Sequence, residues 1–371
     1  NYNGIARFNY LITDGNGGSI ANTVNLNVVA INDTPEATFS TDQLTAEGNS
    51  AISGQLTSTD IDEKAADGSL DAAGNPNPET ATYSLVGESI DGLTINADGS
   101  WEFDPTVDAY NSLAAGETQE ITVNYQVEDS GQLTGTNSFQ ITVNGTNDTP
   151  EATFTTAQAA TEDAAVISGQ LTSLDPDSNA VDADGNATAS YKLIGAPIDG
   201  LTIEADGAWT FDPTHASYQT LTDGEVLELT VNYSVTDADG ASDQSSFTLT
   251  LTGTNDAPVL TGVQSSLPGG SEDNDYTITK NQLLAGFSDA DADETAALDI
   301  INLVATDDDG NAAGSFELNA SETGWTFTPN EHFNGTVNLS YQVTDGIDST
   351  DASNSFNLAA VNDVPELSGV K

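Results

Sequence analysis

Four times in this sequence an Asn-Asp pair stands one residue ahead of a proline: Asn32-Asp33, Asn147-Asp148, Asn255-Asp256 and Asn362-Asp363. Behind each of the first three pairs, further acids follow in a fixed order. A Glu comes first (Glu47, Glu162, and either Glu272 or Asp273). An Asp-x-Asp group comes next (Asp60 and Asp62; Asp175 and Asp177; Asp289, Asp291 and Asp293). A late Asp closes the series (Asp129; Asp237 with Asp239; Asp345). Gathered in one place, these side chains offer almost nothing but oxygen. Two unit charges about 4 Å apart repel by about 1 kcal/mol in water and about 4 kcal/mol at an effective dielectric of ~20. The 371-residue chain sets 5 Lys+Arg against 59 Asp+Glu, a formal net charge of −54, so its own cations cannot neutralise such clusters. A hard cation taking six to eight oxygen ligands at about 2.3–2.6 Å can, and that describes Ca2+; Mg2+ demands a stricter octahedron and keeps its waters. The expectation is Ca2+ held by these residues, with the nearby proline stiffening each linker by fixing φ and keeping the preceding residue extended.

Such chemistry needs a fold that brings distant acids together, and the spacing says what kind. NDTPEATF at 32–39 returns unchanged at 147–154, SGQLTS at 53–58 returns at 168–173, and IDGLTI at 90–95 returns at 198–203. A repeat of roughly 110 residues is the signature of a domain array. The opening NYNGIARFNYLITDGNG matches a segment deep in the third unit, HFNGTVNLSYQVTDGID at 332–348, so the chain is expected to start partway through one domain and stop just inside another. The boundaries expected are 1–31 for the C-terminal part of a truncated domain, 32–146, 147–254 and 255–361 for three complete domains, and 362–371 for the start of a further one.

Within each unit the apolar residues alternate, as in ITVNYQV (121–127), SFQITVN (138–144), LELTVNYSV (227–235) and SFTLTLT (246–252). Period two with Val, Ile, Thr, Phe and Tyr reads as half-buried strand. Clusters of Gly, Asn and Asp between the runs read as turns, and no helical period is sustained. This patterning excludes the disorder that so acidic a composition would otherwise imply. About seven short strands in each unit suit an immunoglobulin-like sandwich large enough for its own core. The fold class is therefore all-β, with tandem Ig-like sandwiches in a linear array.

Successive strands of a sandwich alternate ends, and this sorts the acids. In the second unit a first strand at about 151–156 leads into a loop with Glu162 and Asp163. A strand over 165–173 then leads to Asp175 and Asp177, and a strand over 227–235 leads to Asp237 and Asp239. Asn147, Asp148, Asp175, Asp177, Asp237 and Asp239 should converge at one end. Glu162 should face the other end, towards Asn255, Asp256, Asp289, Asp291, Asp293 and Asp345. By the same logic Asn32, Asp33, Asp60, Asp62 and Asp129 meet at the first junction and Glu47 faces the second. Glu272 or Asp273 faces the last junction, with Asn362 and Asp363.

The acidity excludes nucleic acid as a partner, which needs basic patches, and disfavours anionic membrane surfaces. No run approaches the roughly 18 apolar residues of a spanning helix. Without Cys there is neither a disulfide framework nor a thiolate metal site. No catalytic set stands out, and the expectation is that the chain is not an enzyme. His215 and His332 are isolated, without an H-E-x-x-H or a second His nearby. DADGN at 182–186 and DDDGN at 307–311 resemble the start of a calcium loop but lack its distant Glu, and read as turns. Trp101, Trp209 and Trp325, one per unit, read as repeated core aromatics with bonded indole N–H groups.

A Glu between the first two strands, Asn-Asp-x-Pro linkers, an Asp-x-Asp loop and a downstream Asp together resemble cadherin-type junctions. The units resemble the VCBS and cadherin-like tandem repeats of giant bacterial repeats-in-toxin adhesins, and the resemblance covers essentially the whole chain. It makes 32–146 and 147–254 VCBS-type domains and 255–361 a cadherin-like one. It implies an extracellular, calcium-stiffened stalk at a bacterial cell surface, type I secretion, and a role in attachment or biofilm formation. The glycine-rich nonapeptide repeats of such proteins are absent here. The partners implied are the neighbouring domains of the same chain and other copies of the chain, with glycan or protein ligands bound elsewhere in the full protein. Two other readings remain open on the residues alone: a module that itself binds glycan or protein, and a filament subunit completed by strand addition.

Overall fold

The computed structural model describes residues 4–29, 31–61, 81–177, 188–291 and 297–362. The chain forms two compact units. The first comprises Asn1–Glu151, Ser173–Ser190 and Val235–Asp243; the second comprises Ala152–Thr172, Tyr191–Ser234 and Gln244–Lys371.

In the first unit the alternation of the long strands decides the fold. Along Thr118–Glu128 the side chains of Val123, Tyr125 and Val127 are fully buried while those between them face outward, and the antiparallel partner Thr134–Asn144 buries Phe139, Ile141 and Val143 against them. Thr82–Leu85 extends this sheet on one edge. On the other edge Gln43–Ala46 runs parallel to the last strand, Gln43 opposite Ile141. A second sheet of Ile52–Gln55, Ser100–Phe103 and Leu93–Ile95 packs Trp101 and Phe103 onto the first. A short pair, Glu36–Ala37 with Ser58–Thr59, completes the sandwich.

The second unit repeats the plan. Gln158–Thr161 pairs in parallel with residues 249–252, and Ile167–Gln170, Ala208–Phe211 and Leu201–Ile203 form the opposing sheet. Further along the chain, Gly270–Ser271, Ser349–Ala359, Gly335–Thr344 and Asp299–Thr306 form one sheet, and Tyr276–Thr279, Gly324–Pro329 and Gly314–Leu318 the other, around their own core.

Three local outcomes depart from the sequence reading. Of the first strand expected at about 151–156 only Glu151–Ala152 is strand, and a second short strand, Gln158–Thr161, follows beyond it, because an aromatic turns inward between the two. Phe39 packs edge-on to Phe139, and its carbonyl accepts the Tyr125 hydroxyl at 2.8 Å; Phe154 does the same with Phe247 and Tyr233. In the third repeat the carbonyl that accepts the tyrosine comes instead from a five-residue helix, Lys280–Leu284, which follows Tyr276–Thr279. Thr279 and Gln282 cap its start reciprocally, and the Leu283 carbonyl accepts Tyr341. Third, the tryptophans are core residues without indole hydrogen bonds. Trp101 and Trp209 are 2% and 1% exposed, and their buried Nε1 atoms have no partner among the described residues. Each ring lies flat on a glycine instead: a Cβ on Gly54 or Gly169 would sit 2.7 or 2.6 Å from the indole. Trp325 faces Ile278 where its counterparts face glycine, and is only partly buried.

Residues Gly4–Thr13 and Ser19–Val28 form an antiparallel hairpin. The Asp14 carboxylate accepts the Asn16 and Gly18 N–H groups across its turn. Phe8, Tyr10, Ile12, Val24 and Leu26 are 41–58% exposed.

Candidate metal centre

Each candidate site is assembled from an edge-to-edge turn, a linker and a loop. In the first unit the turn after Thr118–Glu128 is tied by Asp129, whose Oδ1 accepts the Leu133 N–H at 2.9 Å. Its Oδ2 accepts the Asn32 side-chain amide, also at 2.9 Å. Asp33 and Asp60 are half-buried; Asp62 lies outside the described residues.

The Asn147 site, within the same unit, is fuller. Asp237 Oδ1 accepts the Ala241 N–H at 2.9 Å, and its Oδ2 accepts Asn147 Nδ2 at 3.0 Å. The Asp148 N–H donates to Asp177 Oδ2 at 3.0 Å, and the Asp177 N–H to Asp175 Oδ1 at 3.2 Å. Glu47, 4% exposed, reaches in from the first sandwich, where the Thr146 N–H donates to its Oε1 at 2.5 Å. Burial pushes the Asp177 carboxyl up to about 6, with Asp175, Asp148 and Glu47 adding like-charge repulsion. Burial, then the Asp175 charge, also raises Asp148. Asp239 is exposed and bonds to none of this group.

The Asn255 site, in the second unit, follows the same plan. Asn255 Nδ2 donates to Asp345 Oδ2 at 3.2 Å, the Asp256 N–H to Asp291 Oδ2 at 3.0 Å, and the Asp291 N–H to Asp289 Oδ1 at 3.2 Å. Glu162, 2% exposed, accepts the Thr254 N–H at 3.2 Å. Its carboxyl is pushed up to about 7, by burial first and then by the charges of Asp256, Asp163 and Asp291. Burial and neighbouring carboxylates also raise Asp256 and Asp289. Asp293 lies outside the described residues. Of the pair Glu272 and Asp273, Glu272 is the buried equivalent of Glu47 and Glu162, accepting the Val361 N–H at 2.6 Å; Asp273 is exposed. Asn362 is exposed, and Asp363 lies outside the described residues.

Two contributors escaped the sequence reading. Asp348 accepts Asn255 Nδ2 at 3.0 Å, beside Asp345. The signal was a turn, Asp345–Asp348, one residue shorter than Asp237–Ala241. Asp163 lends its charge to Glu162 and Asp256. It holds a left-handed φ of 60°, as Gly48 at 67° and Asp273 at 68° do after Glu47 and Glu272.

Among the described residues, no group of three or more His, Asp or Glu side chains is arranged to hold a metal ion as it stands. The acids meet pairwise, through Asn amides and backbone N–H groups. The donor set nonetheless fits a hard cation. Buried oxygens without a hydrogen-bond partner among the described residues include Asn32 Oδ1, Glu47 Oε2, Asp148 Oδ2 and Asp177 Oδ1 in the first unit, and Asn255 Oδ1, Asp256 Oδ2 and Asp291 Oδ1 in the second. Buried acceptors are ordinarily bonded, and orphaned ones cost roughly 1–3 kcal/mol each. An oxygen-only set of this kind is what Ca2+ takes.

Residues 254–359 match the family model of the cadherin-like domain, and residues 147–250 that of the bacterial Ig domain. No curated protein matches the sequence. Among solved structures, the chain resembles protocadherin gamma B2 extracellular cadherin domains 1–5 at 18% identity and a TM-score of 0.55, covering 94% of this chain and 64% of that one. It resembles the protocadherin gamma B4 extracellular domain at 16% identity and 0.53, covering 95% and 54%. Human CDH23 EC21-23 matches at 17% and 0.50, covering 88% of this chain and all of that one. The chain thus spans less than two thirds of the length of the two protocadherin segments. At these identities the likeness concerns the fold, and the chain is an all-β tandem of cadherin-like and Ig-like sandwiches, with a bacterial Ig match on the second repeat and a cadherin-like match on the third.

Proposed function

We propose that this chain is a calcium-rigidified extracellular spacer in a large bacterial surface adhesin of the VCBS and repeats-in-toxin kind, exported by type I secretion and serving attachment or biofilm formation. The cadherin-like and bacterial Ig matches support this reading, since such domains typically serve as structural or adhesion modules, and no helix among the described residues is long and apolar enough to cross a membrane. In this reading the repeats are the domains 32–146, 147–254 and 255–361.

One observation carries the calcium reading: the buried, partnerless oxygens of Glu47, Asp148, Asp177, Asn255, Asp256 and Asp291, in a chain with 5 Lys+Arg. Bound Ca2+ supplies the positive charge these oxygens lack. The Asn-Asp segments and Asp-x-Asp loops hold it, and the linker is fixed in consequence. Extracellular modules of this kind bind Ca2+ at roughly 10⁻⁴–10⁻³ M. Isothermal calorimetry of the chelator-treated chain should show saturable binding in that range; a flat titration up to ~10 mM, well above that range, would remove the proposal.

Strand addition has one observation behind it. Phe8, Tyr10 and Ile12 of the N-terminal hairpin are exposed, and two strands alone are marginal. Sedimentation that shows a single species at all concentrations would leave the spacer reading alone.

A further inference from the structure

The linker-facing glutamates are held unequally. In all three, the N–H of the residue before the linker Asn, or before Asn362, grips one carboxylate oxygen: Thr146 on Glu47, Thr254 on Glu162 and Val361 on Glu272. The second oxygen differs. Gln219 Nε2 donates to Glu162 Oε1 at 3.3 Å, and Asn334 Nδ2 to Glu272 Oε2 at 2.9 Å. Glu47 Oε2 is buried and has no partner among the described residues. The amides come from one position in the fold. Asn111, Gln219 and Asn334 each follow the aromatic that closes a tight turn: Tyr110 on Val107, Tyr218 on His215, Phe333 on Asn330. Asn111 is exposed, and it bonds neither oxygen of Glu47.

We infer that Gln219 and Asn334 are positioning residues, amide latches that satisfy the linker-facing carboxylate when no cation is present, so that the Glu162 and Glu272 sites hold their linkers largely without calcium while the Glu47 site depends on it. The calcium half of this inference rests on the proposed function. A buried carboxylate oxygen without a donor is costly, and either a cation or an amide N–H relieves it. An amide does so permanently; a cation does so only at sufficient concentration. Carboxylate oxygens accept more than one partner, so the latch leaves lone pairs for a metal. The consequence is graded behaviour along one chain. On calcium depletion the segment at Thr146 loosens first, and those at Thr254 and Val361 stay closed.

Native-state hydrogen exchange on the full chain, read at the Thr146, Thr254 and Val361 N–H groups in millimolar Ca2+ and in chelator, tests this. Chelation should speed Thr146 exchange by about tenfold or more and leave Thr254 and Val361 within about threefold, since one satisfied or unsatisfied buried acceptor is worth on that order. Gln219→Leu should make Thr254 behave like Thr146, about tenfold faster in chelator and unchanged in calcium. The isosteric Gln219→Glu, which loses the donor and adds a charge, should be as fast in chelator and be rescued by calcium. A role in packing alone would speed exchange equally in both conditions, and that result overturns the latch, as does an unchanged Thr254 in Gln219→Leu under chelator. If calcium alters exchange at none of the three positions in the native chain, the calcium reading falls with its half of the inference and Gln219→Glu decides instead: it keeps the packing and loses the donor, so the latch stands if it speeds Thr254 as Gln219→Leu does and falls if it leaves Thr254 unchanged.

Discussion

Asn147 Nδ2 lies 3.0 Å from Asp237 Oδ2, a bond that ties a linker to a turn 90 residues further along the chain. Asn32 with Asp129 and Asn255 with Asp345 repeat it. The pairing explains why the position is Asn. The amide nitrogen must donate to the carboxylate, which leaves the amide oxygen as an acceptor on the other side. Aspartate would offer the second function and forfeit the first. Asn147→Asp should therefore destabilise the chelator-treated protein by about 1–3 kcal/mol, because it replaces a donor with a like charge. Calcium should restore part of that loss. Thermal unfolding in both conditions reads it, and equal melting of mutant and native chain in chelator would contradict the pairing.

Glu162 is 2% exposed, and among the described residues the charges that act on it are all carboxylates. Glu162→Gln keeps the shape and removes the charge. In chelator it should match or exceed the stability of the native chain; in millimolar Ca2+ it should lose most of the calcium-induced gain at that site. Differential scanning calorimetry with and without Ca2+ shows both. A variant weaker in chelator and normal in calcium would reverse the assignment.

Acid should stabilise the metal-free protein over a defined window. The folded-state pKa values of Glu162, about 7, and Asp177, about 6, lie above the ordinary 4.5 and 3.8. The stability from these raised groups is fully present below the ordinary values and is lost as pH rises through about 6 and about 7, by at most ~1.4 kcal/mol per pH unit per group. Asp98, Asp104 and Asp307 are shifted down instead, so their contribution is lost only below that window. In chelator the melting temperature should rise as pH falls from 7.5 to 5. In calcium the trend should flatten or invert, since protons compete with metal for the same oxygens. A metal-free melting temperature that falls steadily over that range would be inconsistent with these buried carboxyls.

Gly54→Ala places a methyl 2.7 Å from the Trp101 ring, in a core with no room for it. Overpacking of this kind costs about 1–3 kcal/mol. Chemical denaturation followed by tryptophan fluorescence should show that loss, and the same for Gly169→Ala beneath Trp209. Ile278 already occupies the matching place opposite Trp325, so the third repeat has no equivalent glycine to test.

The sequence by itself determined the strands and their order. Alternation along 121–127 and 227–235 is a local pattern tied to the pleat, so each residue's face follows from its neighbours. It also determined which acids lie in which loop, because repeat spacing and strand alternation are both linear properties of the chain. It placed Glu47 with Asp148, Asp175 and Asp177, and in the folded protein the charges of the first three act on the Asp177 carboxyl in addition to its burial: Asp175, Asp148 and Glu47 all raise it. What it could not determine depended on contacts between segments far apart in the chain. The split first strand follows from Phe39 meeting Tyr125 and Phe139, and the choice of Glu272 over Asp273 from which side chain the Val361 N–H reaches. The inclusion of Asp348 follows from a turn short enough to bring it against Asn255. A carboxylate's neighbours are set by the path of the backbone around it, and charge alone, in a chain with 59 Asp+Glu, does not single one out.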